Sequence, residues 1–82
     1  MDEEKLRRAA DWLRLTLISE ILSPFANFQL SAAEPDSYEL KFATNGTDKS
    51  FPMTAAWVEG IADGNEEIRE LVKGNLLTLA RT

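Results

Sequence analysis

The sequence predicts a two-layer α+β domain in the order α-β-β-β-α-α, with a three-stranded antiparallel sheet covered on one face by helices. Three observations carry that expectation. Apolar residues recur at spacings of three and four through the first quarter of the chain. From Phe28 the apolar period changes to two and holds through three short segments. A second stripe at spacings of three and four returns near the C-terminus, with a short helical segment before it.

The first helix is predicted over about Asp2 to Leu22. Asp2 is a suitable N-cap, and Glu3 and Glu4 sit at the positive end of the helix dipole. Leu6, Ala9, Ala10, Leu13, Leu17 and Ile21 form one stripe, and Ser23-Pro24 ends the helix because the residue before proline is pushed out of the helical region. Trp12, Leu15, Ile18 and Leu22 fall outside that stripe, on the flank and back of the wheel. A helix apolar on nearly all sides is buried on more than one side.

Phe28, Leu30 and Ala32 alternate with Gln29 and Ser31, and Glu34-Pro35-Asp36-Ser37 reads as a turn. Tyr38, Leu40 and Phe42 alternate with Glu39 and Lys41 in a second strand. Asn45-Gly46 signals a tight hairpin, since both residues tolerate positive φ. The third strand, about Asp48 to Met53, carries Phe51 and Met53 on one face, and Pro52 assigns it to an edge. Phe28, Leu30, Tyr38, Leu40, Phe42 and Phe51 are expected to face the helices.

Thr54 is placed to cap a short helix through Ala62, with Trp57, Val58 and Ile61 on its apolar side. Asp63-Gly64 stops it, and Asn65 caps a final helix carrying Ile68, Leu71, Val72, Leu76 and Leu79. Gly74 is a weak point in its middle.

With 82 residues the chain is expected to form a single domain, 1–82. It contains no histidine and no cysteine. Those side chains supply the commonest general base, the commonest soft metal ligands and the most reactive nucleophile. A serine triad is excluded, and the glycines at 46, 60, 64 and 74 match no phosphate-binding loop. Fourteen acidic residues against nine basic ones give a net charge of −5, which disfavours nucleic acid and anionic lipid. No apolar run reaches the roughly 18–20 residues of a membrane span. The acidic start Met1-Asp2-Glu3-Glu4 is unlike a secretory signal, so a cytoplasmic location is expected.

The α-β-β-β-α order is shared with double-stranded RNA-binding domains, but here Asp63, Glu66 and Glu67 stand where phosphates would have to bind. Asp63, Asn65 and Glu67 begin like a calcium loop, which then fails at Ile68 and Gly74, where glycine and glutamate are required. Glu66, Glu67 and Glu70, and Glu34, Asp36 and Glu39, read as solvated faces rather than acid–base pairs. Arg7, Arg8 and Arg14 are expected to pair locally with Glu3, Glu4 and Asp11.

A small domain without disulfide or metal is commonly stabilised by oligomerisation. The sequence therefore points to a non-catalytic protein-binding or accessory domain acting as a homodimer. Its interface is expected at Trp12, Leu15, Ile18 and Leu22, with no cofactor, no metal, no nucleic acid and no membrane. The alternatives are burial of those same residues under the short Trp57 helix, and, for function, an acidic inhibitor or mimic docking onto a basic site.

Overall fold

In a computed structural model, which describes residues 3–21 and 25–81, the order is the expected one. The elements are α1 (Glu3–Glu20), β1 (Phe25–Glu34), β2 (Ser37–Thr44), β3 (Thr47–Thr54), α2 (Ala55–Ala62) and α3 (Glu66–Arg81). The proposed cap at Asp2 and the proposed stop at Ser23-Pro24 lie outside the described residues.

The sheet is antiparallel in the order β1-β2-β3, so both β1 and β3 are edges. Asn45 and Gly46, at φ 55° and 75°, close a two-residue turn between the paired Thr44 and Thr47. Pro52 stands opposite Glu39 on edge strand β3, where its missing N–H leaves no gap in the interior of the sheet. Thr54 caps α2 through its hydroxyl, which accepts from the Trp57 amide at 3.2 Å.

One face of the sheet is apolar. Leu30, Leu40 and Phe51 stand in one cross-strand row, and Tyr38 and Met53 pair in the next. Tyr38, Leu40, Phe42, Phe51 and Met53 are buried against Ala9, Leu13 and Leu17 of α1, Val58 and Ile61 of α2, and Val72 and Leu76 of α3. The period of two in the strands and of three and four in the helices thus meets in a single core. Phe28 and Leu30 are only half-buried, because β1 is an edge.

β1 starts earlier than the alternation indicates. An extra residue between Ala26 and Gln29 shifts the register, and Asn27 takes φ 57° there. The bulge brings Phe25 and Phe28, three residues apart, to within 6.1 Å of each other at the margin of the core. A strict alternation would have set them on opposite faces.

α2 ends in a paired-bond cap. Gly64, at φ 79°, donates to the Ile61 carbonyl at 3.2 Å, and Asn65 donates to the Gly60 carbonyl at 2.8 Å. The Asn65 side chain then caps α3 by accepting from the Ile68 amide at 3.2 Å. These bonds, with a 3.3 Å ion pair from Lys5 to Asp63, account for Asp63 and Asn65, two of the three residues that open like a calcium loop.

Helix α3 runs unbroken through Gly74, whose Cβ direction meets open space. Gly74→Ala is therefore expected to stabilise the domain by about 0.5–1 kcal/mol, since alanine restricts the unfolded chain and touches nothing in the folded one. Urea denaturation of the two proteins at one concentration checks this, and a lower midpoint for the variant would contradict it.

Candidate functional site

The outer surface of α1 and the groove between α1 and α3 form the candidate site. Three contacts set the relation of the two helices. Lys5 pairs with Asp63, Trp12 covers Arg69, and Glu20 pairs with Lys73 at 3.1 Å. Residue numbers rise together on both sides, so α1 and α3 run in the same direction.

Arg69 organises the groove floor. Its Nε and Nη2 donate to the Ile61 carbonyl at 3.0 and 2.7 Å, tying α3 to the end of α2. The Trp12 ring lies over the guanidinium, 5.4 Å from centroid to carbon. Thr16, buried beside it, donates its hydroxyl to the Trp12 carbonyl at 2.8 Å. Trp12 is half-buried and joins the edge of the core. Nothing in the local sequence singles out Arg69. Its role follows from where α2 ends in space.

Leu15 and Ile18 have a different fate. They are 61% and 57% exposed, and they sit on the face of α1 that points away from the sheet. Helix α2 does pack on α1, but on its core side, through Val58 and Ile61. Trp57 lies instead against Phe51, their rings 6.3 Å apart, and is half-buried. The short helix therefore leaves Leu15 and Ile18 uncovered. Leu22, the fourth residue of the expected band, lies outside the described residues. Leu71, 50% exposed, sits on the flank of α3 turned away from α1.

The groove has a volume of about 350 Å³, and its walls include Leu15 and Ser19 on α1 and Glu66 and Glu70 on α3. Among the described residues, Arg7, Arg8 and Arg14 form no ion pair, and neither do Glu66, Glu67 and Glu70. This corrects the expected local pairing of the arginines with Glu3, Glu4 and Asp11. Such surface pairs are worth a few tenths of a kcal/mol, too little to hold long side chains against their own entropy.

The outer face of the sheet is polar. There the Ser50 hydroxyl donates to Glu39 Oε2 at 2.8 Å, and Lys41 approaches Glu39 Oε1 at 3.3 Å. The Ser50 bond, followed by Lys41, holds the Glu39 carboxyl below its ordinary pKa. A group so placed is ionised at neutral pH, the wrong state for a general acid and too weak for a general base. Among the described residues no cluster of three or more acidic side chains has the geometry to hold a metal ion. No described helix is long and apolar enough to cross a membrane.

Helices covering one face of a small antiparallel sheet, with surplus apolar residues left on the outer face of α1, define an α+β domain with a candidate docking surface. No protein-family model, curated protein or solved structure matches the chain. The functional reading therefore rests on the residues themselves.

Proposed function

We propose that this chain is a non-catalytic protein-binding domain that acts as a homodimer through the outer face of α1. The observation that carries the reading is the pair of neighbouring large apolar side chains, Leu15 and Ile18, that no other described element covers. Scattered apolar residues are normal on surfaces. Two at i and i+3 on one helix, beside a groove with Trp12 at its base, make a defined patch. Trp12, half-buried on the flank that faces α3, borders the patch on the Leu15 side.

Magnitudes limit what these residues accomplish alone. Covering what is exposed of Leu15 and Ile18 on two chains releases roughly 4–7 kcal/mol, at about 1.5–3 kcal/mol per fully buried side chain. Association costs on the order of 4–15 kcal/mol in lost freedom. Further contacts around the patch are therefore required for a dimer at micromolar concentration.

Leu15→Glu places a charge at the centre of the patch without touching the core. Light scattering at tens of micromolar is expected to show a dimeric wild type and a monomeric variant, with the same circular dichroism. A monomeric wild type overturns the homodimer, and two dimers would mean that another face pairs. The second reading, an acidic domain docking onto a basic site, draws on the carboxylates of Glu66, Glu67 and Glu70, which form no ion pair among the described residues. Its binding would weaken steeply with salt, whereas an apolar contact would not.

A further inference from the structure

The direction in which two copies pair follows from charge, given that α1 is the pairing surface as proposed above. With 100° per residue, the exposed half of α1 divides into three strips. Trp12 and Ser19 lie on the flank that faces α3. Asp11, Leu15 and Arg8 point straight outward. Arg7, Arg14 and Ile18 lie on the opposite flank, away from α3. Across the groove, Glu66 and Glu70 of α3 project toward the same outer side. Each chain thus carries a basic strip on one side of its exposed leucine and an acidic strip on the other, and among the described residues neither strip is neutralised by an ion pair.

A two-fold axis can relate two such surfaces in two ways. If the axis runs across the helices, the two α1 helices are antiparallel. Each α3 then stacks over its counterpart, and Arg7 and Arg14 are left facing solvent. If the axis runs along the helices, the two α1 helices are parallel and each α3 crosses to the other side of the pair. The flank with Arg7, Arg14 and Ile18 then lies over the partner's groove, with the arginines beside the partner's Glu66 and Glu70. Because α1 and α3 run in the same direction, the levels also match: Arg7 lies near the start of α3 and Arg14 about two turns further on.

We propose that two copies of this chain dock with their α1 helices parallel, each seating Ile18 in the other's α1–α3 groove and laying Arg7 and Arg14 along the other's Glu66 and Glu70. The occupant of the groove is a second copy, because this chain itself carries the apolar knob and the opposite charge in the right order. Asp11 and Arg8, of opposite sign, stand next to the axis and offset each other. The arrangement is isologous and closes on itself, so it stops at two chains.

The chain has no cysteine, so single cysteines report the arrangement without background. Arg8→Cys and Leu15→Cys, both on the outward strip of α1 beside the axis, are made separately, oxidised at tens of micromolar and run on a non-reducing gel. The two positions are about 10.5 Å apart along the helix, whereas a disulfide needs Cα atoms within about 7 Å. In a parallel pair both positions meet their own copy, and both variants are expected to form linked dimers. In an antiparallel pair at most one position lies at the crossing point, so a single linking variant overturns the proposal. A second arm exchanges charges. Arg14→Glu and Glu70→Arg are each expected to weaken the dimer roughly tenfold, and the double variant to recover it. If Leu15→Glu dissociates the dimer but the double variant stays weak, the parallel arrangement fails while α1 pairing stands. If Leu15→Glu leaves the dimer intact, α1 pairing itself fails.

Discussion

Truncating Phe42 to alanine is expected to lower the stability of the domain by about 3–5 kcal/mol. Phe42 is 2% exposed and is among the largest fully buried side chains. It stands on the central strand, with β3 on one side and the bulge of β1 on the other. No neighbour can collapse into the space without moving a strand pair. A chain of 82 residues has roughly 4–12 kcal/mol of stability in total, so the loss is a large fraction of what exists. Thermal denaturation by circular dichroism should show a midpoint lowered by more than about 15 °C. Both proteins are to be compared at one chain concentration, because pairing adds a concentration-dependent contribution. A loss below 1 kcal/mol, on that rough scale, would show that the sheet face is not the centre of the core.

The second large effect is at Gly60, where the same substitution that helps at Gly74 is expected to harm. A methyl group on Gly60 would press into Ile68 of α3, with Cγ2 at 3.0 Å and Cβ at 3.1 Å. The nearest atom, Cδ1, is the free end of the side chain and can swing aside, and Cγ2 turns with it, but Cβ is fixed to the α3 backbone and moves only with the helix. Gly60→Ala is expected to cost about 1–3 kcal/mol from overpacking, after alanine's own helix preference of up to about 1 kcal/mol is set against it. The Gly60 carbonyl also accepts the Asn65 amide in the cap of α2, so a shift of the backbone would loosen the turn into α3. Urea denaturation decides the matter: a variant as stable as wild type would show that α2 and α3 can separate freely. Measured together, the two glycine variants should move in opposite directions.

That contrast shows what can be read without coordinates. Both glycines sit within helical segments, and intrinsic preference makes both replacements favourable. Only the approach of α3 to α2 distinguishes them, and that approach joins residues whose spacing in the chain carries no periodic signal. Trp12 is a similar case. Its position off the main stripe was legible, and so was its nearness to Thr16. That it rests on Arg69, itself bound to the Ile61 carbonyl, depends on the placement of three helices at once.

By itself the sequence determined the order of elements, the face of the sheet that turns inward and most of the local punctuation. Leu40 and Phe42 are buried where alternation placed them, Asn45-Gly46 turns as its φ tolerance requires, and Thr54 and Asn65 cap the helices they precede. These features come from backbone geometry acting over a few residues, which a linear pattern records directly. The tertiary structure alone decided that β1 is bulged at Asn27, that α2 covers the core side of α1, and that Leu15 and Ile18 remain exposed. Each of these depends on how much space the other elements leave. A surplus apolar face is visible in a sequence; which part of it the rest of the chain covers is settled only by packing.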